Sequence, residues 1–315
     1  MRVDPGIERA AAYMAHHSRS FRLASLVLPA PDRERIERVY AWCRFTDNLA
    51  DAPPSGTSRG DADQALREWL ELSQRAYWGE FTNIVVLGTV MREMRDAGAP
   101  FALARTLVEG VRSDLTFRPF PSIVELRDYT FSVASVVGLW LCHLFGVREP
   151  WMLSRASALG HAMQLSNILR DVGEDLADGR VYLPLDHLAT RGLSARDLAD
   201  YASGRRPIDD PYRSVIESLM QRASDDYALT REAISHLPRP FGRAVAVAAS
   251  VYEGLHDAIR ANGYDNFRYR ARVGLGRKLV VGSRAVLTLR RPKPVYFSST
   301  VNRDPFPTSL SSVSR

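Results

Sequence analysis

The stretch HAMQLSNILRDVGEDLADGRVYLPLDHL, which covers residues 161–188, decides the fold of this chain. Polar side chains recur every three or four residues along it, at Gln164, Asn167, Asp171 and Asp175. On an α-helix this spacing places them in one stripe, and the mostly apolar residues between them predict a helix that is buried on its other faces. Buried carboxylates are costly unless a cation neutralises them, so the stripe predicts a divalent-metal site. A solvated helix face is the simpler interpretation of a lone aspartate pair, because such short patterns recur by chance.

A second stripe lies upstream, in the segment DRERIERVYAWCRFTDNLAD at residues 32–51. Intervals of four, three and four residues place four of its side chains on one helix face: Tyr40, Arg44, Asp47 and Asp51. Two carboxylates one turn apart repel each other unless they are neutralised. We interpret the stripe as a second cation site with an arginine for phosphate; an arginine–aspartate surface pair is the alternative. The segment APPSGTSRGD that follows, residues 52–61, predicts a mobile loop and a candidate lid.

Composition limits the class of protein. The chain has 315 residues, of which 45% are hydrophobic, enough for a large core in one big domain or two ordinary ones. The net charge of +6 suits anionic partners such as phosphates, nucleic acid or an acidic membrane surface. The two cysteines, Cys43 and Cys142, fall in helical patterns and predict no disulfide framework, so we expect a reducing, cytoplasmic compartment. The N-terminus has no signal-peptide pattern, and the most apolar run, residues 131–147, is short for a membrane span.

The rest of the chain is patterned for helices, and strand signals are sparse. We therefore predict an all-α fold of roughly ten helices, with one apolar helix over residues 123–147 at its centre. Where the first predicted helix ends, donor groups suited to a phosphate cluster at His17, Ser18, Arg19 and Ser20, although a simple loop explains this segment equally well. Residues 1–291 are predicted to form one domain, and the Pro- and Ser-rich residues 292–315 a disordered tail.

The two aspartate stripes point to one kind of chemistry if they face each other across a cavity. They would bind a cluster of Mg²⁺, which is typically held by a few carboxylates together with substrate phosphates. The matching substrate is a diphosphate, whose departure Arg44 and Arg170 would favour by neutralising its charge. An apolar tunnel beneath would hold a hydrocarbon tail and keep water away from a carbocation. The residues therefore predict ionisation of a prenyl diphosphate.

Several motifs resemble those of the squalene/phytoene synthase family. YAWCRFTDNLAD resembles its first aspartate motif, and QLSNILRDVGEDLADGRVYLP its second, most closely in the form of the bacterial phytoene synthases. HSRSF, YTFSVASVVG and NGYDNFRYRARV match the family in order and position, so that the resemblance covers about residues 10–280. The resemblance implies the isoprenoid synthase fold, a single helical barrel around a central apolar cavity.

The resemblance also implies roles for individual residues. The metal ligands would be Asp47, Asp51, Asn167, Asp171 and Asp175. The diphosphates and the first prenyl unit would be held by His17, Ser18, Arg19, Ser20, Tyr40, Arg44, Gln164 and Arg170. Tyr129 and Tyr252 would line the cavity near the cationic carbons, although for Tyr252 the helical pattern alone indicates an ordinary core tyrosine. Asn48 stands where many relatives have a further acid, and Ser135 where a glycine is common.

The implied reaction joins two geranylgeranyl diphosphates head to head through a cyclopropylcarbinyl diphosphate to give phytoene. It would use Mg²⁺, with Mn²⁺ as the alternative ion, and no NADPH. A dehydrosqualene or squalene synthase that acts on farnesyl diphosphate is the nearest alternative, and a class I terpene cyclase or a non-catalytic scaffold is a more distant one.

Residues 260–315 indicate a partner. They contain twelve lysine and arginine residues against two aspartates, a net charge of +10, with apolar residues interleaved. This composition is typical of a peripheral membrane surface, and no nucleic-acid-binding motif accompanies it. We therefore expect a cytoplasmic, peripherally membrane-associated enzyme that binds no nucleic acid, with a downstream desaturase as a candidate partner.

Overall fold

The computed structural model describes residues 4–51 and 58–289, and every regular element in these two ranges is helical. The α-helices are α1 (Ala10–His17), α2 (Arg19–Ser25), α3 (Ala30–Asp51), α4 (Arg59–Tyr77), α5 (Val85–Asp96), α6 (Ala102–Ser113), α7 (Ile123–Thr130), α8 (Val136–Leu144), α9 (Pro150–Ala177), α10 (Leu185–Ala189), α11 (Ala195–Ala202), α12 (Asp210–Ile234), α13 (Arg239–Ala261) and α14 (Leu275–Thr288). The predicted all-α fold is confirmed. The described ranges hold fourteen α-helices rather than roughly ten, because the segment predicted as one helix over residues 123–147 is divided into α7 and α8 and because the short helices α2, α10 and α11 add to the count.

Local sequence signals set many of the helix ends. Ser58 and Ser122 each form a capping box with the acidic residue three positions on, so they begin α4 and α7. Asp209 caps α12, whose first turn contains a proline. The predicted loop before α4 lies mostly outside the described residues, as does the predicted tail.

The core has two large apolar clusters with a cavity between them. One cluster joins α9 to α12 and α13, and the other joins α3 to α4, α5, α6 and α8 around Trp42, Trp69 and Trp140. The cavity walls come from α3 and α8 on one side and from α9, α12 and α13 on the other. The two stripes of polar residues therefore lie on helices whose opposite faces are buried in different clusters.

A π-helical turn, Phe131–Ser135, interrupts the central helix that was predicted over residues 123–147. It lies against two glycines that leave room for its backbone. A Cβ atom on Gly160 would lie 2.5 Å from the Cα of Ser135, and one on Gly110 would lie 2.8 Å from the Cβ of Ser132. Such contacts are shorter than packed atoms allow, so only glycine permits this close approach of α6 and α9.

The π turn changes which side chains of the central helix face the cavity. Tyr129 and Val133 line it, followed by Val137 rather than Val136. Val136 is instead packed in the core cluster with Trp140. A single inserted residue of this kind is typical of π turns at functional sites, and it places the small side chains of the helix against the cavity.

Within residues 4–51 and 58–289, no helix has the length and apolar character that a bilayer crossing requires.

Candidate functional site

One large cavity, of about 1310 Å³, runs between the helices, and one of its ends is acidic. Asp47 and Asp51 reach it from α3, and Asp171 and Asp175 reach it from α9. Both pairs line this one end, and a side chain from just beyond α9 reaches the pair on α3. Arg180, which follows α9, places its Nη1 atom 3.1 Å from Oδ1 of Asp51 and its Nη2 atom 3.1 Å from Oδ2 of Asp178.

The apolar faces of α3 and α9 turn both stripes toward the cavity. On α9, Leu165 and Leu169 are fully buried in the cluster with α12 and α13. On α3, Val39 and Trp42 are buried in the other cluster. Because apolar and acidic positions alternate at helical spacing, burial of the first set fixes the direction of the second.

The acidic end carries more negative charge than its surroundings favour. Burial, opposed by the attraction of Arg44 and assisted by repulsion from Asp51 and Asp114, raises the pKa of Asp47 to about 7. The side chain of Asp47 is 39% exposed, but it is exposed to the cavity rather than on the outer surface of the protein. Burial likewise raises the pKa of Asp175 to about 7, with a further contribution from Asp171. Such perturbed carboxyls are typical of functional sites, and a cation would relieve the repulsion.

Arginines partly neutralise these acids. Asp171 accepts hydrogen bonds from Arg170, at 2.7 Å from Nε, and forms an ion pair of 3.0 Å with Arg270. Arg44 lies 3.9 Å from Asp47. The sequence predicted Arg44 and Arg170 but missed Arg180 and Arg270, which occupy no helical stripe with the aspartates.

A third acidic group, Asp114, was also missed. It follows α6 and lines the cavity, where it accepts hydrogen bonds from the hydroxyls of Tyr129 at 2.8 Å and Tyr182 at 2.9 Å. Burial raises its pKa to about 6, although both hydrogen bonds and Arg180 oppose this shift. The predicted residue Tyr129 is thus fixed in orientation beside the acidic end, at the start of the apolar walls.

The predicted phosphate cluster lies at the junction of α1 and α2 and lines the cavity: His17, Ser18, Arg19 and Ser20. It is not a simple loop, because Ser18 caps α2 by accepting a hydrogen bond from the backbone N–H of Phe21. Ser20 accepts a 2.9 Å hydrogen bond from Nζ of Lys278 on α14. Burial lowers the pKa of Lys278, and Arg19 and Arg170 lower it further. These cations suit an anion, and Lys278 stands in no periodic pattern from which the sequence could have predicted it.

Three aromatic rings lie where the polar end meets the apolar walls. The ring centre of Phe21 is 5.6 Å from that of Tyr40 and 5.5 Å from that of Tyr252. Tyr252 is only 7% exposed, yet it lines the cavity with the other two. Aromatic faces attract cations, most strongly where water is excluded, so the three rings suit a positively charged carbon.

Unpartnered polar atoms show what the site can bind. Among the described residues, Nε of Arg44, Nε of Arg180 and Oδ1 of Asn167 are buried, and none of them has a hydrogen-bond partner. All three residues line the cavity. Buried polar groups rarely stay unpaired, so two donors for an anion and one acceptor for a cation indicate a ligand that carries both.

The donor set fits Mg²⁺. Asp47, Asp51, Asp171 and Asp175 supply carboxylate oxygens, and Asn167 supplies the unpaired amide oxygen; its Nδ2 contacts Gln164 at 3.4 Å. Mg²⁺ prefers oxygen ligands and binds through a few carboxylates together with substrate phosphates. Across residues 4–51 and 58–289, no three acidic, histidine or cysteine side chains converge on a single ion position.

The substitution Asp175→Asn should stabilise the metal-free protein at alkaline pH. Asp175 has a pKa of about 7 when folded and 3.8 as the unperturbed group. Between these values the folded state keeps a proton that the unfolded state has released, so this carboxyl makes stability fall as pH rises from about 4 to about 7. In EDTA, Asp175→Asn should melt above the wild type at pH 8 and close to it at pH 4. Equal melting temperatures at pH 8 would contradict the assignment, and Asp210→Asn, at a 93% exposed side chain outside the cavity, is the control.

Comparison with known proteins agrees with this site over most of the chain. The sequence model for squalene/phytoene synthase matches residues 14–277. A phytoene synthase of Cereibacter sphaeroides is 35% identical over 267 residues, which are 84% of this chain and 74% of that protein. A 15-cis-phytoene synthase of Synechococcus elongatus is 33% identical over 292 residues, 88% of this chain and 91% of that protein.

Solved structures share the fold. The crystal structure of a dehydrosqualene synthase in complex with ligand superposes with a TM-score of 0.81 at 26% identity, over 90% of this chain and 96% of that chain. A squalene synthase from Alicyclobacillus acidocaldarius superposes with a TM-score of 0.72 at 28% identity, over 82% of this chain and 94% of that chain. The isoprenoid synthase fold implied by the sequence motifs is confirmed. With two aspartate pairs at the head of an apolar cavity and a family match over most of its length, the chain belongs to the squalene/phytoene synthase family.

Proposed function

We propose that this protein is a phytoene synthase, which condenses two geranylgeranyl diphosphates head to head. The observation that carries the proposal is the cavity itself, with acids and unpaired arginine donors at one end and apolar walls below. The phytoene synthases that are similar to the chain along most of its length support this substrate.

The depth of the cavity suits a long prenyl chain. Asp171 and Met152 both line it, and both belong to α9. At about 1.5 Å of rise per residue, the helix separates them by about 28 Å. This is close to the roughly 30 Å hydrocarbon thickness of a bilayer. The walls can therefore hold extended chains well beyond the reach of the acidic end.

Different residues would bind the metal, bind the diphosphate and stabilise the cationic carbon. When bound, Mg²⁺ would be held by the four aspartates and Asn167, and it would supply positive charge to the departing diphosphate. Arg44, Arg170 and Arg180 donate hydrogen bonds to the phosphate oxygens and so lower the cost of the charge that develops on them. The rings of Phe21, Tyr40 and Tyr252 stabilise the cationic carbon.

The apolar walls then decide the product. They exclude water, which would otherwise capture the cation. The first condensation releases one diphosphate and one proton and gives a cyclopropylcarbinyl diphosphate. Ionisation of this compound releases the second diphosphate, and rearrangement with loss of a second proton gives phytoene. Loss of a proton rather than gain of a hydride requires no NADPH.

A dehydrosqualene or squalene synthase is the second candidate, because the solved structures named above carry these activities in their names. The test is incubation with Mg²⁺ and either farnesyl or geranylgeranyl diphosphate, with and without NADPH, followed by mass spectrometry of the extracted hydrocarbons. We expect a forty-carbon hydrocarbon from geranylgeranyl diphosphate that is independent of NADPH. A thirty-carbon product as the main one would replace the proposal with the second candidate, and no hydrocarbon at all would favour a scaffold.

The chemistry of the product supports an association of the enzyme with a membrane. Phytoene is a hydrocarbon and must pass into lipid, which supports peripheral association with an anionic membrane from the cytoplasmic side and delivery to a desaturase. Mn²⁺ is expected to replace Mg²⁺ at the same oxygen ligands.

A further inference from the structure

Helix α14 exposes apolar side chains that a water-facing helix would not carry. Leu279 is 50% exposed, Val280 is 68% exposed and Leu287 is 84% exposed. At 100° per residue these three side chains fall on one outward arc of the helix. The inner face is packed, with Val286 against a cluster of α2 and α13 residues and Gly282 against Val247. The arc is therefore not a misplaced part of the core.

Basic side chains border this arc. Arg277 and Arg284 are exposed, lie seven residues apart and share one flank of the helix. Arg277 pairs with Asp257 at 2.5 Å. The arrangement of an apolar strip beside basic side chains is typical of helices that lie in the surface of an anionic membrane.

The same helix forms part of the cavity wall. Leu275 and Lys278 line the cavity, and Lys278 is bonded to Ser20 beside the anion site. The arc therefore lies on the outer side of a cavity wall, so a surface that covers α14 would also lie beside the cavity, near its anion site.

We propose that α14 docks flat on an anionic lipid bilayer through Leu279, Val280 and Leu287, with Arg277 and Arg284 at the headgroups. This rests on the proposed function in one respect only, that a hydrocarbon product must leave the cavity for lipid. Other occupants fit the charges less well. If a second copy of the chain covered this face, the basic side chains of the two copies would repel each other. The segment 290–315 is disfavoured for the same reason, because it carries Arg290, Arg291 and Lys293.

The test uses the full-length protein and two matched substitutions. Leu287→Glu places a charge in the proposed membrane face. Phe81→Glu makes the same change in charge at a 93% exposed apolar side chain between α4 and α5, outside that face. Binding is measured by flotation with vesicles of phosphatidylcholine alone and with one third phosphatidylglycerol, and turnover is measured separately in detergent.

We expect Leu287→Glu to lower affinity for the anionic vesicles by about tenfold, with Val280→Glu as a second variant of the same effect. Phe81→Glu should bind as the wild type does, and wild-type binding should weaken on neutral vesicles. All variants should keep wild-type turnover in detergent, so absence of product would count against the proposed function rather than against the docking face. Unchanged vesicle binding of Leu287→Glu, or an equal loss in Phe81→Glu, would overturn the proposal and assign any binding to another surface or to the tail.

Discussion

Replacing Asp171 with alanine is expected to lower turnover by about a thousandfold or more, the scale that loss of charge stabilisation produces in other active sites. Asp171 is the acid of α9 that Arg170 and Arg270 contact together. Its loss removes a proposed metal ligand and leaves two guanidinium groups without their acceptor. The fold should persist, because the buried face of α9 is formed by other residues. Steady-state assays with Mg²⁺ and far-ultraviolet circular dichroism measure the two effects separately.

Asp210→Ala is the control for this prediction. Asp210 lies in the first turn of α12, its side chain is 93% exposed and it does not line the cavity. Its replacement should leave turnover within about threefold of the wild type, as for most surface changes. Full activity of Asp171→Ala, or an equal loss in Asp210→Ala, would refute the role given to the acidic end.

The second large effect is expected at the far end of the cavity. Phe241 is 3% exposed, lines the cavity and stacks on Phe145 with ring centres 4.1 Å apart. It lies in the first turn of α13, about 16 Å along the helix from Tyr252 at about 1.5 Å per residue. We expect Phe241→Ala to open this end and to raise turnover of a twenty-five-carbon diphosphate relative to the twenty-carbon one by about tenfold or more.

Phe145→Ala separates selectivity from stability. Phe145 makes the same stacking contact from behind and does not line the cavity. Phe241→Ala should cost about 3–5 kcal/mol of stability. Phe145→Ala should cost less, because Phe145 is only partly buried, and both should lower the melting temperature. Competition between the two diphosphates, with products resolved by mass, should shift only in Phe241→Ala. An unchanged product ratio would show that another residue closes the cavity.

The sequence predicted the parts of the site that repeat at helical spacing. Asp47 and Asp51 share a stripe with Arg44, and Asp171 and Asp175 share one with Asn167, so each set could be placed on a helix face without the fold. Both sets line the one cavity. The all-α class followed from the same periodicity and from the scarcity of strand patterns.

The sequence could not predict the parts that depend on tertiary contact. Asp114, Tyr182 and Lys278 each stand alone in their segments, and only folding brings them to the cavity. The π turn could not be predicted from the sequence for a related reason. It depends on close approach by Gly110 and Gly160, which are distant in sequence, and a helical repeat cannot show an inserted residue in advance.

The central claim is that the two aspartate pairs together bind divalent metal with a diphosphate. The most direct measurement is anomalous diffraction from crystals of the protein grown with Mn²⁺ and an unreactive thio-analogue of geranylgeranyl diphosphate. The account predicts Mn²⁺ peaks between Asp47 and Asp51 of α3 and Asp171 and Asp175 of α9, in contact with the phosphate oxygens. An analogue bound with its diphosphate elsewhere, or Mn²⁺ peaks only on the outer surface, would contradict it.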